Sequence, residues 1–241
     1  MEFLRFIFCL SLICSVNFFK KSFLLIVVVF RGNLLLYSQN LGTWNVLQLR
    51  HNFQKDWTIN AETQLRSLSF YNQFHYYEYK AFLQKQITNG CGFSIGAGKY
   101  NTFSPGGNFN APQVADEFRL STQVFLSQRV KKLEIENRYR FEIRKFSSEY
   151  KFRIRFRLGL AYPILKDGKV KLTLANEFFN SLSAHTLASQ SIFEKNRFSV
   201  GVQYKHNEKL QLSLGYLQQY DTRNFDETGK HFLQLITIIT L

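Results

Sequence analysis

The stretch Lys151-Phe152-Arg153-Ile154-Arg155-Phe156-Arg157-Leu158-Gly159-Leu160-Ala161-Tyr162 decides the fold. Its even positions are all apolar (Phe152, Ile154, Phe156, Leu158, Leu160, Tyr162), and its odd positions open with Lys151, Arg153, Arg155 and Arg157. Side chains alternate across a β-strand, so this spacing gives one apolar face and one cationic face. A helix would scatter the same charges around its axis. The segment from Leu133 to Arg144 repeats the pattern: Leu133, Ile135, Tyr139, Phe141 and Ile143 oppose Glu134, Glu136, Arg138, Arg140, Glu142 and Arg144.

Working outward from these two segments, the same period predicts strands over residues 44–51, 57–69, 75–87, 92–103, 117–128, 133–145, 151–163, 170–181, 197–206, 210–220 and 231–241. Tight turns rich in Asn, Asp, Gly and Lys fall at 54–56, 88–90, 130–132, 166–168 and 207–209. They alternate with longer connections at 103–116, 182–194 and 221–230, and with intermediate ones at 70–74 and 146–150. Long two-faced strands with short turns at one end and longer loops at the other fit an all-β, antiparallel transmembrane β-barrel. A soluble barrel would bury the apolar face inside instead and would not need strands of this length. Bacterial single-chain barrels have even strand numbers, so the eleven segments predict about 10–12 strands, with twelve favoured and one segment misjudged. If residues 231–241 are the last strand and end at the periplasm, the tight turns are periplasmic and the longer loops extracellular.

Composition agrees with one β-rich domain. The chain has 241 residues, 17% aromatic, with 13 Gly and only three Pro. Its mean hydropathy of −0.19 excludes a polytopic helical membrane protein. Past residue 40 no apolar run approaches the roughly 20 residues a spanning helix needs. Residues 1–38 read as a secretory signal peptide: Lys20 and Lys21 precede an apolar run, and cleavage is expected between Ser38 and Gln39. The stretch before Lys20 reads as an extension from a start assigned too far upstream, the leader then beginning at Val16; a retained signal anchor is the alternative. Residues 39–241 are the expected barrel. Of the net charge of +14, residues 1–38 contribute +3, leaving +11 on the barrel. Cys9 and Cys14 lie in the leader, so Cys91 stands alone in the barrel and neither a disulfide nor a Cys-based metal site is expected.

Several segments resemble an uncharacterised family of outer-membrane β-barrel proteins, a domain-of-unknown-function family frequent in Bacteroidota. They are Glu117-Phe118-Arg119-Leu120, Arg138 to Arg144, Arg153 to Arg157, Asn176-Glu177-Phe178-Phe179, Asn196-Arg197 and Leu214 to Gln218. The resemblance implies a location in the bacterial outer membrane and the barrel fold, and it supplies no catalytic residues.

The charged face supplies the candidate site. Glu117, Arg119, Arg138, Arg140, Glu142, Arg144, Arg153, Arg155, Arg157 and Glu177 would form a lumen network. Folding strands about their turns places Arg119 near Glu142, Glu142 near Arg155, and Arg157 near Glu177. The first functional reading is a structural barrel or narrow conduit held by these ion pairs. A second is a pore whose excess Arg selects small anionic solutes, or carries lipid-like ligands. A soluble periplasmic barrel binding an apolar ligand is a third. A fourth is a lipid-modifying hydrolase using Ser183 and His185, but residues two apart on a loop rarely supply a nucleophile and its base. No cofactor is expected, and His51, His75, His206 and His231 form no ligand spacing. Gly92, Gly96, Gly98 and Lys99 lack the spacing of a phosphate loop and read as a glycine-rich strand. The cations are interleaved with apolar residues and Glu, so nucleic acid is not an expected partner. Outer-membrane lipid, the anionic inner groups of lipopolysaccharide and the barrel assembly machinery are. Trp44, Trp57, Tyr76, Tyr77, Tyr79, Tyr162, Phe178, Phe179, Tyr216 and Tyr220 sit near strand ends, as interface girdles do.

Overall fold

The computed structural model describes residues 41–183, 192–221 and 229–241. The expected leader, its cleavage point and His185 lie outside them. The described chain is a closed barrel of eleven strands: β1 (Leu41–Gln54), β2 (Trp57–Ser69), β3 (Asn72–Thr88), β4 (Cys91–Phe103), β5 (Gln113–Val130), β6 (Leu133–Lys145), β7 (Tyr150–Pro163), β8 (Val170–Ser181), β9 (Phe193–Lys205), β10 (Leu210–Asp221) and β11 (Lys230–Thr240). Consecutive strands pair antiparallel around the ring.

The expectation of an even strand number is corrected by the closure. β1 and β11 pair in parallel, from Leu41 opposite His231 to Arg50 opposite Thr240. An odd count forces this, because up-and-down strands return to the starting direction only after an even number. Leu41 therefore enters at the end that carries the longer loops, and Thr240 leaves at the end that carries the tight turns. The first strand is longer at both ends than the expected 44–51. The connection between β2 and β3 shrinks to residues 70–71, whereas that between β7 and β8 spans residues 164–169.

Radial sorting follows the period. The even residues of β7 face outward, with Phe156 and Leu158 exposed, and its odd residues face the lumen, with Arg153 and Arg155 buried. Neighbouring strands do the same: Tyr139 is 45% exposed and Leu214 55% exposed, while Glu142 is completely buried. A soluble barrel inverts this arrangement, so the apolar surface is the outer one.

Gly92, Gly96 and Gly98 of β4 leave room for the side chains of its neighbours. A Cβ on Gly96 would sit 2.3 Å from Phe82 Cδ1, and one on Gly92 2.0 Å from Phe125 Cζ. Gly159 of β7 is different, since its nearest neighbour would be 3.8 Å away. Overpacking a filled lumen typically costs about 1–3 kcal/mol. Gly96→Leu is therefore expected to lower stability by about that amount, read as the urea midpoint of the detergent-folded protein, and Gly159→Ala to leave the midpoint within about 0.5 kcal/mol.

Candidate functional site

The lumen has two halves. In the half toward the longer loops it is filled with side chains, and Glu142 of β6 is the centre of that plug. Its carboxylate accepts from Arg153 Nε at 2.8 Å across the strand pair and from Arg155 Nη1 at 2.7 Å one step along. Arg140 Nη1 lies 3.7 Å away on the same strand. Arg155 also donates to Glu177 Oε1 on β8 at 2.8 Å, and Arg138 reaches the same oxygen at 3.2 Å. At the loop end Glu117 of β5 accepts from Arg119 of its own strand, at 2.8 Å from Nη2, and from Arg144 of β6, at 3.0 Å. Glu194 of β9 joins this cluster, 3.4 Å from Arg153 and 3.7 Å from Arg144. Each buried charge thus meets at least one of opposite sign, which is the condition under which ions are tolerated away from water.

A second cluster occupies the β2–β3 side. Lys80 bridges Glu78 at 2.5 Å and Glu62 at 2.6 Å, and Arg66 meets Glu78 at 3.2 Å. Tyr76 donates its hydroxyl to Glu78. Aromatic rings fill the space between the clusters. The Arg66 guanidinium carbon lies 3.4 Å from the ring centre of Trp44 and 3.9 Å from that of Tyr76. Phe179, 1% exposed, sits under Arg155 at 4.4 Å and Arg197 at 4.6 Å. Arg119 covers Tyr100 at 3.7 Å. Such stacking supplies attraction to cations that have no further carboxylate to meet.

Toward the tight turns the lumen opens into a cavity of about 1150 Å³. The plug forms its floor, at Trp44, Arg140, Arg155 and Glu177, and its wall carries Gln48, Asn60, Gln84, Gln123, Gln203 and Gln234 among other polar side chains. The barrel is a cup closed at one end by its own side chains. Among the described residues there is no group of three or more His, Cys, Asp or Glu placed to hold a metal ion.

The sequence profile described as protein of unknown function (DUF2490) matches residues 41–229, which is nearly the whole barrel. The chain belongs to this family. No curated protein matches it in sequence. Among solved structures the DUF2490 barrel is similar to the NanC porin, with a TM-score of 0.49 and 10% identity over 79% of this chain and 92% of that one. It is also similar to OmpT, an outer membrane protein of Vibrio cholerae, with a TM-score of 0.38 and 12% identity over 74% of this chain and 56% of that one.

Within the DUF2490 barrel all ten candidate residues face the lumen; Glu142 does lie beside Arg155 and Arg157 beside Glu177, whereas Arg119 pairs elsewhere than expected. Arg119 stands opposite Arg144, two residues from the expected Glu142, and its ion pair is with Glu117. Glu142 stands opposite Arg153, and Arg155 reaches it diagonally. Arg157 does stand opposite Glu177, yet the ion pairs of Glu177 are with Arg138 and Arg155. Three supposed girdle residues, Trp44, Tyr76 and Phe179, are buried in the lumen. Their phase could have revealed it: Trp44 shares parity with Gln48 and Arg50, Tyr76 with Glu78 and Lys80, and Phe179 with Glu177. That β2–β3 cluster was not among the expected site residues. Ser183 Oγ accepts a hydrogen bond from the backbone N–H of Phe152 at 2.9 Å, so this hydroxyl holds a loop against β7.

Removing one partner of a buried ion pair strands the other and typically costs about 3–5 kcal/mol. Glu142→Ala is expected to fall in that range by urea unfolding. Glu142→Ala combined with Arg155→Ala should cost less than the sum of the single changes, and strict additivity would remove Arg155 from the network.

Proposed function

We propose that this protein is an outer-membrane β-barrel that acts as a closed structural barrel or narrow conduit, with outer-membrane lipid and lipopolysaccharide as its surroundings and the barrel assembly machinery as its route in. The observation that carries the reading is radial: apolar side chains outside, ion pairs inside. Water would favour the opposite sorting, and only a hydrocarbon surrounding gives exposed Phe, Leu and Ile faces their place. The strands, from 11 residues in β11 to 18 in β5, are long enough to cross such a layer. The filled loop half argues against free diffusion, because Glu142 and Phe179 at its centre are buried from water. With the tight turns at the periplasm, the cup opens to the periplasmic side.

Three measurements test this. Native cells should yield a detergent-requiring band that starts at Gln39 and migrates differently when boiled; a detergent-free periplasmic band would overturn the location. Planar bilayers carrying the purified protein should show no steady ohmic steps, and such steps would overturn the closed lumen. Phe156→Arg places a charge on the outer face near the middle of β7, where lipid makes it cost about 2–4 kcal/mol. In water the same substitution would stay within about 0.5 kcal/mol.

A further inference from the structure

The cup has two unlike walls. In the ring order β1 lies five strands from β6 in one direction and five from β7 in the other, so the β6–β7 pair faces β1, which β11 adjoins at the seam. The β6–β7 wall presents Arg138 directly opposite Arg157. Like charges placed opposite each other on neighbouring strands repel. Arg138 shares Glu177 with Arg155, whereas Arg157 has no carboxylate in ion-pair range among the described residues. Glu136, on the next lumen-facing pair toward the mouth, stands opposite Gly159 and is exposed. The facing wall carries Val46, Ile236 and Ile238, which line the same cavity. Both walls are tied to the plug at their inner ends, Arg138 through Glu177 and Val46 and Ile236 through Trp44 and Phe232, while Arg157 and Ile238 reach the cavity beyond it. The outer edge of an apolar wall, at Ile236 and Ile238, thus looks across a polar cavity at an arginine that stands opposite Glu177 but makes no ion pair with it, Glu177 being engaged by Arg138 and Arg155.

One ligand class suits both the apolar edge and the arginine. We propose that the cup binds a small amphipathic organic anion, its acid group on Arg157 and Arg138 and its apolar part against Val46, Ile236 and Ile238. Arginine presents a planar fork of donors that matches a carboxylate or phosphate. The cavity, at about 1150 Å³, exceeds the usual size of small-molecule sites. Gly159 keeps the arginine wall low, since no atom lies within 3.8 Å of where its Cβ would be. An inorganic anion would have no use for the aliphatic wall, and a neutral apolar molecule none for the arginines. The inference rests on the cup being the open half of a barrel filled at its other end.

The test uses the full barrel in detergent and three probes: 4-phenylbutyrate, 4-phenylbutanol and acetate. Trp44 on the cup floor reports binding by fluorescence in a Trp57→Phe background. Phenylbutyrate is expected to give a saturable change, with the alcohol and acetate each at least roughly tenfold weaker. Arg157→Gln should weaken phenylbutyrate roughly tenfold and leave the alcohol unchanged, because only the charge-assisted hydrogen bonds are lost. Arg157→Lys should retain part of the affinity, and Gly159→Phe should abolish binding by filling the cup. Equal binding of acetate would mean a simple anion site and overturn the proposal. So would equal binding of the alcohol, indifference to Arg157→Gln, or no saturable change with any probe. Heat-shifted migration is read on every variant, so a failure of the barrel itself is told apart from a barrel that folds and does not bind.

Discussion

Every guanidinium that a barrel turns into a filled part of its lumen must find a negative charge or an aromatic face, because no water is left there to solvate it. Glu142 is where this constraint is tightest. Its carboxylate is fully buried and is met by Arg153, Arg155 and, at longer range, Arg140. Opposite charges about 4 Å apart attract by about 4 kcal/mol at an effective dielectric near 20, which is comparable to the desolvation penalty each ion incurs. The cluster is therefore stable as a set and unstable by halves. Its value to the fold is register: slipping β6 against β7 by one residue would turn Glu142 outward, along with Arg138, Arg140 and Arg144, and leave Arg153 and Arg155 of β7 without its carboxylate.

The aromatic rings make the second half of that argument. Lumen cations outnumber carboxylates, and Arg66, Arg119 and Arg197 each lie over a ring. A ring face attracts a cation and also fills volume that water would otherwise occupy. Trp44 and Phe179 thereby close the lumen as well as neutralise it, and the plug needs no inserted helix or folded-in loop among the described residues.

Much of this is legible in the alternation alone. Strand positions, the inward face of β6 and β7 and the outward face of Phe156 follow from a period of two. Direction of closure does not, because alternation carries no sign of whether the last strand runs with or against the first. The one displaced pairing, Arg119 with Glu142, has a related cause. Counting back from a turn fixes a register only if the turn length is known to the residue; with the two-residue Lys131–Lys132 connection, Val130 faces Leu133 and Arg119 faces Arg144, one step along β6 from the inward-facing Glu142. Long arginine side chains partly hide such errors: Arg155 still reaches Glu142 from the diagonal position. For Trp44, Tyr76 and Phe179 parity is a better guide than position near a strand end, because the period of two sets which way a side chain points and these three share the inward phase.

Glycine explains why only one half of the lumen is open. On β4 the inward glycines are covered, Gly92 by the ring of Phe125 and Gly96 by that of Phe82, so the absence of a side chain makes room for a neighbour and creates no void. On β7, β9 and β10 the inward Gly159, Gly201 and Gly215 have mainly backbone near them, and Gly201 and Gly215 stand directly opposite each other. With Ala161, Thr173 and Ser213 these positions thin the wall around the cavity. The same strands, nearer the loops, carry Arg153, Phe179, Arg197 and Gln219, which fill the lumen. A strand that changes from small to large inward residues halfway along its length builds a cup, and the unpaired Arg157 sits where that change occurs.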